Sequence, residues 1–197
     1  MNPHQITREF EAALCEYTGA KYAVAVNSCT SALQLCLEWF KPEWVEIPKF
    51  TYVSVPVQIK RAGAALRFRD ERWLGQYQLA PMPVYDCARR FTSGMYEPGA
   101  YQCVSFHAAK ILADSQGGAI LHDNPDADRF FRLMRFDGRT EGVAPKDDTF
   151  TVLGAHCYLS PDVSARLLWK LGALPKHNDD LPNDDYPDLS QQPLFRS

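Results

Sequence analysis

The sequence lacks most of the signals that tie a chain to a polymer, a membrane or an oxidising compartment. It has six cysteines, at 15, 29, 36, 87, 103 and 157, and none forms a Cys-x-x-Cys pair. A structural zinc site therefore has no paired-thiolate spacing to build on. A looser His/Cys site from His107, His156, Cys157 and His177 has no support in the spacing either. No block of basic residues stands out, and the formal net charge is -3, which argues against nucleic acid or an anionic membrane as the main partner. No apolar run is long enough to span a bilayer. Met1-Asn2-Pro3-His4-Gln5 lacks the basic-then-apolar pattern of a signal peptide. No internal repeat is present. Most cysteines lie in apolar runs, where a free thiol behaves as a small hydrophobe. The expectation is a reducing, cytoplasmic protein without disulfides.

What is present is enough apolar sequence for a sizeable core. The chain has 197 residues, 46% of them hydrophobic, which suits one large domain or two small ones. Phe10, Ala13, Leu14 and Tyr17 have helical spacing over residues 8–18, and Gly19 is a natural stop. Tyr22 to Val26 reads as a strand buried on both faces. A second helix is expected from Ser31 to Phe40 with Ser28 or Asn27 as its cap. Trp44 to Pro48 is a short strand. A helix then follows Ser54 and ends at Gly63, with Pro56 in an early turn. Ala64 to Phe68 and Pro83 to Cys87 are further strands, whereas residues 70–81 look irregular. Asn124 and Pro125 open a helix through Phe136, with Phe130, Phe131, Leu133 and Met134 inward and Arg129, Arg132 and Arg135 on a solvated face. Residues 138–149 read as a polar loop, and a last helix starts at Ser160-Pro161, turns Val163, Leu167, Leu168 and Leu171 inward and stops at Gly172. Strands alternating with helices predict an α/β fold with a parallel or mixed sheet covered on both faces.

One stretch concentrates reactive groups. Tyr101 to Phe106 reads as a strand that delivers Ser105, His107 and Lys110 into one short loop, followed by Gly117-Gly118 and a further apolar run, Ala119 to Leu121. A single lysine is ordinarily a solvated charge. At the carboxyl end of a strand, where α/β sheets bind ligands, it can be partly desolvated, and its neutral amine can then attack a carbonyl to form a Schiff base. The strand-to-helix junction at Asn27-Ser28-Cys29-Thr30 offers unpaired helix-start N–H groups, which attract phosphate. Asp86 ends another strand; alone it reads as a turn or cap residue.

Taken in order, these segments resemble the DegT/DnrJ/EryC1/StrS sugar aminotransferases, fold-type-I enzymes that use pyridoxal 5'-phosphate (PLP). Phe10-Glu11 through Asn27-Ser28 and Thr30-Ser31-Ala32-Leu33 are similar to the family's first helix and its Ser-Gly-Thr-Ala-Ala-Leu turn. Pro48 with Phe50-Thr51-Tyr52-Val53-Ser54, Asp86-x-Ala88, Ser105-Phe106-His107-x-x-Lys110 with Gly117-Gly118, and Gly154 to Leu171 resemble later signatures.

The resemblance implies a three-layer α/β/α large domain with a mostly parallel sheet over residues 1–174, lacking most of the C-terminal small domain. From Pro175 the chain is rich in Asp, Pro and Asn, and residues 175–197 read as an extended or disordered arm. It implies that Lys110 carries PLP as a Schiff base and shuttles a proton, and that Asp86 pairs with the pyridinium nitrogen. Cys29, Thr30 and Ser105 would hold the phosphate, Tyr52 would stack on the ring, and Arg89 would stand where a Gln or His commonly meets the cofactor. His156 would reach a partner protomer's site in a homodimer. The implied reaction moves an amino group, usually from glutamate, to a keto group on a nucleotide-linked sugar. His107 fits a turn-stabilising role as well as a site role.

The chain departs from its apparent relatives. A dozen irregular residues replace a strand–helix unit before Pro83, and the sequence stops soon after Leu171, where relatives continue into a small domain. Cys29 replaces a Gly, Gln116 a Glu, and His156 and Tyr158 stand in place of Asn and Arg. Two alternatives therefore stay open: a non-catalytic relic of the fold acting as a binding or partner subunit, and a PLP enzyme of elimination or dehydration type.

Overall fold

A computed structural model describes residues 4–183 and 185–196. Its elements, in chain order, are α1 (Gln5–Thr18), β1 (Tyr22–Val26), α2 (Cys29–Phe40), β2 (Trp44–Pro48), α3 (Ser54–Arg61), β3 (Ala65–Arg69), β4 (Tyr77–Gln78), β5 (Val84–Asp86), β6 (Tyr101–Ser105), β7 (Gly118–His122), α4 (Pro125–Met134) and α5 (Pro161–Gly172). Local chemistry sets most of the boundaries. Gly19, at φ 84°, closes α1 with its N–H donating to Cys15 O at 2.9 Å. Ser28 caps α2 by accepting from the Ser31 N–H, so that helix starts two residues earlier than its apolar pattern suggests. Asn124 caps α4, with Pro125 at its first position.

The strands are apolar throughout because both faces are covered. Val24, Val26, Cys103 and Ile120 pack against Leu33, Leu37, Ile59 and Phe131 from α2, α3 and α4. The alternate residues Ala23, Ala25, Val104, Ala119 and Leu121 pack against Phe10, Leu14, Leu167 and Leu171 from α1 and α5. This is the expected α/β/α sandwich.

The main sheet has the order β1-β7-β6-β5-β4, and β2 pairs with β3 in parallel beside it. An antiparallel bridge joins the two: Glu46 and Ala80 exchange N–H···O bonds of 2.8 and 3.1 Å. Following the pairings across, β1, β2, β3, β5 and β6 share one direction, and β4 and β7 run against it. The carboxyl ends of β1, β5 and β6 thus gather at one edge.

Three sequence expectations need correction. Residues 70–81 are not wholly irregular: β4 folds back on β5 as a hairpin, with Leu79 N–H donating to Val84 O at 2.8 Å and Tyr77 in register with Asp86. The helix opened by Asn124 ends at Met134, two residues short of Phe136. The third is the supposed solvated arginine face. Arg129 is exposed, but Arg135 is a fully buried side chain that bonds Glu11 and donates to Ala25 O at 2.7 Å. Arg132 reaches Glu11 at 2.7 Å and Asp128 at 2.8 Å. Glu11, also buried, accepts from the Ala25 N–H at 2.9 Å. Burial pushes the Glu11 carboxyl up, and the two guanidiniums outweigh it, leaving the group below its usual range.

Beyond Pro175 the chain is extended with short 3-10 turns and lies against the strand ends. Arg90 pairs with Asp180, Leu181 N–H donates to Arg89 O at 2.9 Å, and Leu189 and Phe195 are buried. No helix among the described residues is long and apolar enough to cross a membrane.

Candidate active site

A cavity of about 400 Å³ opens where the strand ends converge. Ser28, Cys29, Thr30, Tyr52, Asp86, Arg89, Ser105 and Lys110 all line it, as does His107. Each element contributes for a local reason. The start of α2 supplies Cys29 and Thr30, whose helix position leaves backbone N–H groups without intrahelical partners. The Thr30 hydroxyl lies 2.7 Å from the Ser54 hydroxyl at the start of α3. Gly118 lets β7 approach this turn: a Cβ there would sit 2.5 Å from Cys29 N and 2.6 Å from Ser28 C. Gly117, at φ 141°, adopts a backbone that side chains disfavour.

Asp86 ends β5 and is 4% exposed. Its Oδ1 accepts from Ala88 N–H at 2.9 Å, its Oδ2 accepts from the Tyr77 hydroxyl at 2.9 Å, and the Cys29 thiol points at Oδ1 from 3.9 Å. Burial raises the Asp86 pKa. The Ala88 N–H, the Tyr77 hydroxyl and the charge of Lys110 oppose that rise. Lys110, half-buried in the loop after β6, moves the other way. Burial lowers its pKa, the Arg89 charge adds to the fall, and Asp86 resists it. A carboxylate and an easily neutralised amine therefore act on each other across one cavity.

The remaining side chains divide clearly. His107 is exposed and braces the turn, its Nδ1 lying 3.5 Å from Ala109 N and its carbonyl accepting from Lys110 N–H at 2.9 Å. His156 does not line this cavity; it is exposed and sits 2.8 Å from Asp137. Arg89 points into the cavity but is held by the C-terminal segment. It donates to Pro182 O, to Asp185 at 2.7 Å and to the Tyr186 hydroxyl at 3.2 Å, and lies over the Tyr186 ring. Tyr186 and Asp185 themselves line the cavity. The sequence offered no signal for these two, which sit in an Asp- and Pro-rich stretch without periodicity, nor for Tyr77. Among the described residues no group of His, Cys, Asp or Glu is arranged to hold a metal ion.

The model of the DegT/DnrJ/EryC1/StrS aminotransferase family matches residues 3–73 and 92–180. The chain belongs to that family. Its solved relatives share the fold. PseC of Helicobacter pylori, an aminotransferase involved in the biosynthesis of pseudoaminic acid, is 20% identical, with a TM-score of 0.73 over 85% of this chain and 57% of its own. The sugar aminotransferase CalS13 of Micromonospora echinospora is 20% identical, with a TM-score of 0.74 over 85% and 60%. Spr1654 of Streptococcus pneumoniae, solved in its PLP form, is 21% identical, with a TM-score of 0.69 over 86% and 59%. This family member thus spans less than two thirds of the length of these relatives. The gap between the matched segments, residues 74–91, holds Tyr77, Asp86 and Arg89.

Proposed function

We propose that the protein is a PLP-dependent aminotransferase that moves an amino group, from glutamate in the family's usual manner, to a keto group on a nucleotide-linked sugar. The observation that carries this reading is the pairing of Asp86 and Lys110 across one cavity that also holds the α2 start and Ser105. The donor set fits the cofactor's three handles: N–H groups and hydroxyls for a phosphate, a buried carboxylate for a protonated ring nitrogen, and a desolvated amine for an aldehyde.

Bound PLP supplies an electron sink for the bond-breaking at the donor's Cα. This chain's own residues do the rest. Asp86 holds a proton on the ring nitrogen, which requires it to be ionised. Lys110 would hold the cofactor through its aldehyde carbon and, as a free amine, would take and return the proton at the donor's Cα. Its lowered pKa favours both tasks near neutral pH. Cys29 and Thr30, through their backbone N–H groups, and Ser105, through its hydroxyl, anchor the phosphate. Tyr52, which lines the cavity and is exposed, would cover a bound ring. Tyr186 lines the cavity from the C-terminal segment and would limit the access of water. The same reading takes the protein as a cytoplasmic homodimer in which His156 serves the partner's site.

The test is direct. Protein supplied with PLP should turn yellow, and borohydride should fix the cofactor to Lys110. Lys110→Ala should keep its fold and lose the fixed cofactor. Amino donors should then bleach the wild-type colour. A colourless wild type with no fixed cofactor would overturn the proposal. A second reading, a PLP-binding subunit without turnover, draws on Arg89 being engaged by Asp185. It predicts colour that no amino donor bleaches.

A further inference from the structure

We infer that Tyr77, supplied by the β4–β5 hairpin, is the positioning residue for Asp86, and that Thr51 completes the arrangement by donating its hydroxyl to Tyr77. This rests on the reading of Asp86 as the partner of the ring nitrogen, and adds to it a residue from the segment where the family match breaks off.

The geometry is specific. Tyr77 stands opposite Asp86 in the antiparallel register, and its side chain is 4% exposed. Its hydroxyl lies 2.9 Å from Asp86 Oδ2 and 2.6 Å from Thr51 Oγ1. A phenol has one proton. Given to the carboxylate, it leaves the phenolic oxygen as an acceptor, so Thr51, itself 1% exposed, must be the donor to it. The order Thr51 to Tyr77 to Asp86 follows. The ring is fixed as well: Trp73 packs on it with centroids 4.7 Å apart, and the Trp73 indole donates to Phe50 O at 2.7 Å.

The consequence concerns charge and aim. Ala88 N–H occupies Oδ1, so the Tyr77 hydroxyl is what holds Oδ2 in its buried place. A carboxyl that took up a proton there would lose the negative charge needed to keep a ring nitrogen protonated. The titratable groups facing Asp86 are Tyr77 from β4, Cys29 from α2, Cys87 beside it, Lys110 from the loop after β6 and Tyr186 from the C-terminal segment; Lys110 is the cation among them. Arg89 follows in the next loop and acts on Lys110.

The experiment titrates the Asp86 carboxyl by carbon NMR in the full-length protein without cofactor, the resonance being assigned with Asp86→Asn. Tyr77→Phe should raise the midpoint by about one pH unit and weaken PLP binding at least about tenfold, since hydrogen bonds to charged groups are worth that much. Thr51→Val should give part of the same shift, and Thr51→Ser should restore the wild-type value. If Tyr77→Phe fails to fold, Thr51→Val carries the test, because it leaves the tyrosine ring in place. An unchanged Asp86 midpoint in the folded variants overturns the inference, whatever the cofactor does. A wild type that takes up no PLP while Tyr77→Phe still shifts Asp86 overturns the cofactor reading and leaves the Tyr77 assignment standing.

Discussion

Gly118→Ala is a sharp perturbation because the atoms it would strike are backbone. A methyl at Gly118 would lie 2.5 Å from Cys29 N, 2.6 Å from Ser28 C and 2.9 Å from Cys29 Cα. Ordinary contacts need about 3.5 Å or more, so β7 and the start of α2 must separate by about 1 Å. No flexible side chain can yield instead. Overpacking of this kind costs about 1–3 kcal/mol, which for a chain of this size lowers Tm by about 2–12 °C. The displaced part is the phosphate anchor of the proposed site, so PLP affinity should fall at least about tenfold, equivalent to about 1.4 kcal/mol. Gly63→Ala is the control. Gly63, at φ 77°, has nothing within 4 Å of its added Cβ and does not line the cavity. That substitution should cost about 1–2 kcal/mol of backbone strain and leave PLP affinity unchanged. Thermal melts and PLP titrations of the two variants, side by side, separate stability from binding. If Gly118→Ala binds PLP like the wild type, the close approach of β7 to α2 is not what shapes the anchor, and the reasoning fails.

Glu11→Ala should destabilise by about 3–5 kcal/mol in chemical denaturation, because it removes the nearer carboxylate of the buried Arg135 and leaves only Glu141, at 3.4 Å. Since the folded Glu11 pKa lies below its unfolded value, the wild-type contribution is present above about pH 4.5 and lost as the pH falls below it; Glu11→Ala should remove that acid-side loss. His122 is buried between the Tyr22 and Tyr101 rings, with Nε2 3.7 Å from Asp128, beyond hydrogen-bond reach. Burial is the main cause that lowers its pKa, to about 4. An unfolded chain with a histidine near 6.5 then binds the proton first, so stability falls as the pH drops from about 6.5 to about 4, by roughly 3 kcal/mol. His122→Phe should flatten that part of the pH–stability curve; an unchanged slope would remove His122 as its cause.

The sequence made the local features legible and hid the distant ones. Lys110, Ser105, Cys29 and Thr30 could be found because each sits where a strand gives way to a loop or helix, and the apolar strand pattern marks that place. The unbroken apolar runs at Tyr22 to Val26 and Ala119 to Leu121 are enough to predict a sheet covered on both faces. Arg135 departs from its sequence pattern for a physical reason: Arg129, Arg132 and Arg135, three apart, have the spacing of one helical face, but α4 ends at Met134, and the turn that follows carries the guanidinium inward to Glu11 on α1. No local pattern announces a partner on another helix. Tyr77 was missed because a two-residue strand has no period to read, and Tyr186 because it enters the cavity from a segment with no regular structure. Asp86 alone reads as a turn residue; only the fold shows it buried, with Tyr77 and Ala88 donating to it and Lys110 on the same cavity.

The central claim is that Asp86 and Lys110 hold one pyridine ring between them. A crystal structure of the protein with PLP tests it most directly. The account predicts continuous density from the Lys110 amine to the cofactor, the ring nitrogen within hydrogen-bond distance of Asp86, and the phosphate against the start of α2. Density that leaves Lys110 free, or a ring whose nitrogen faces away from Asp86, would contradict it.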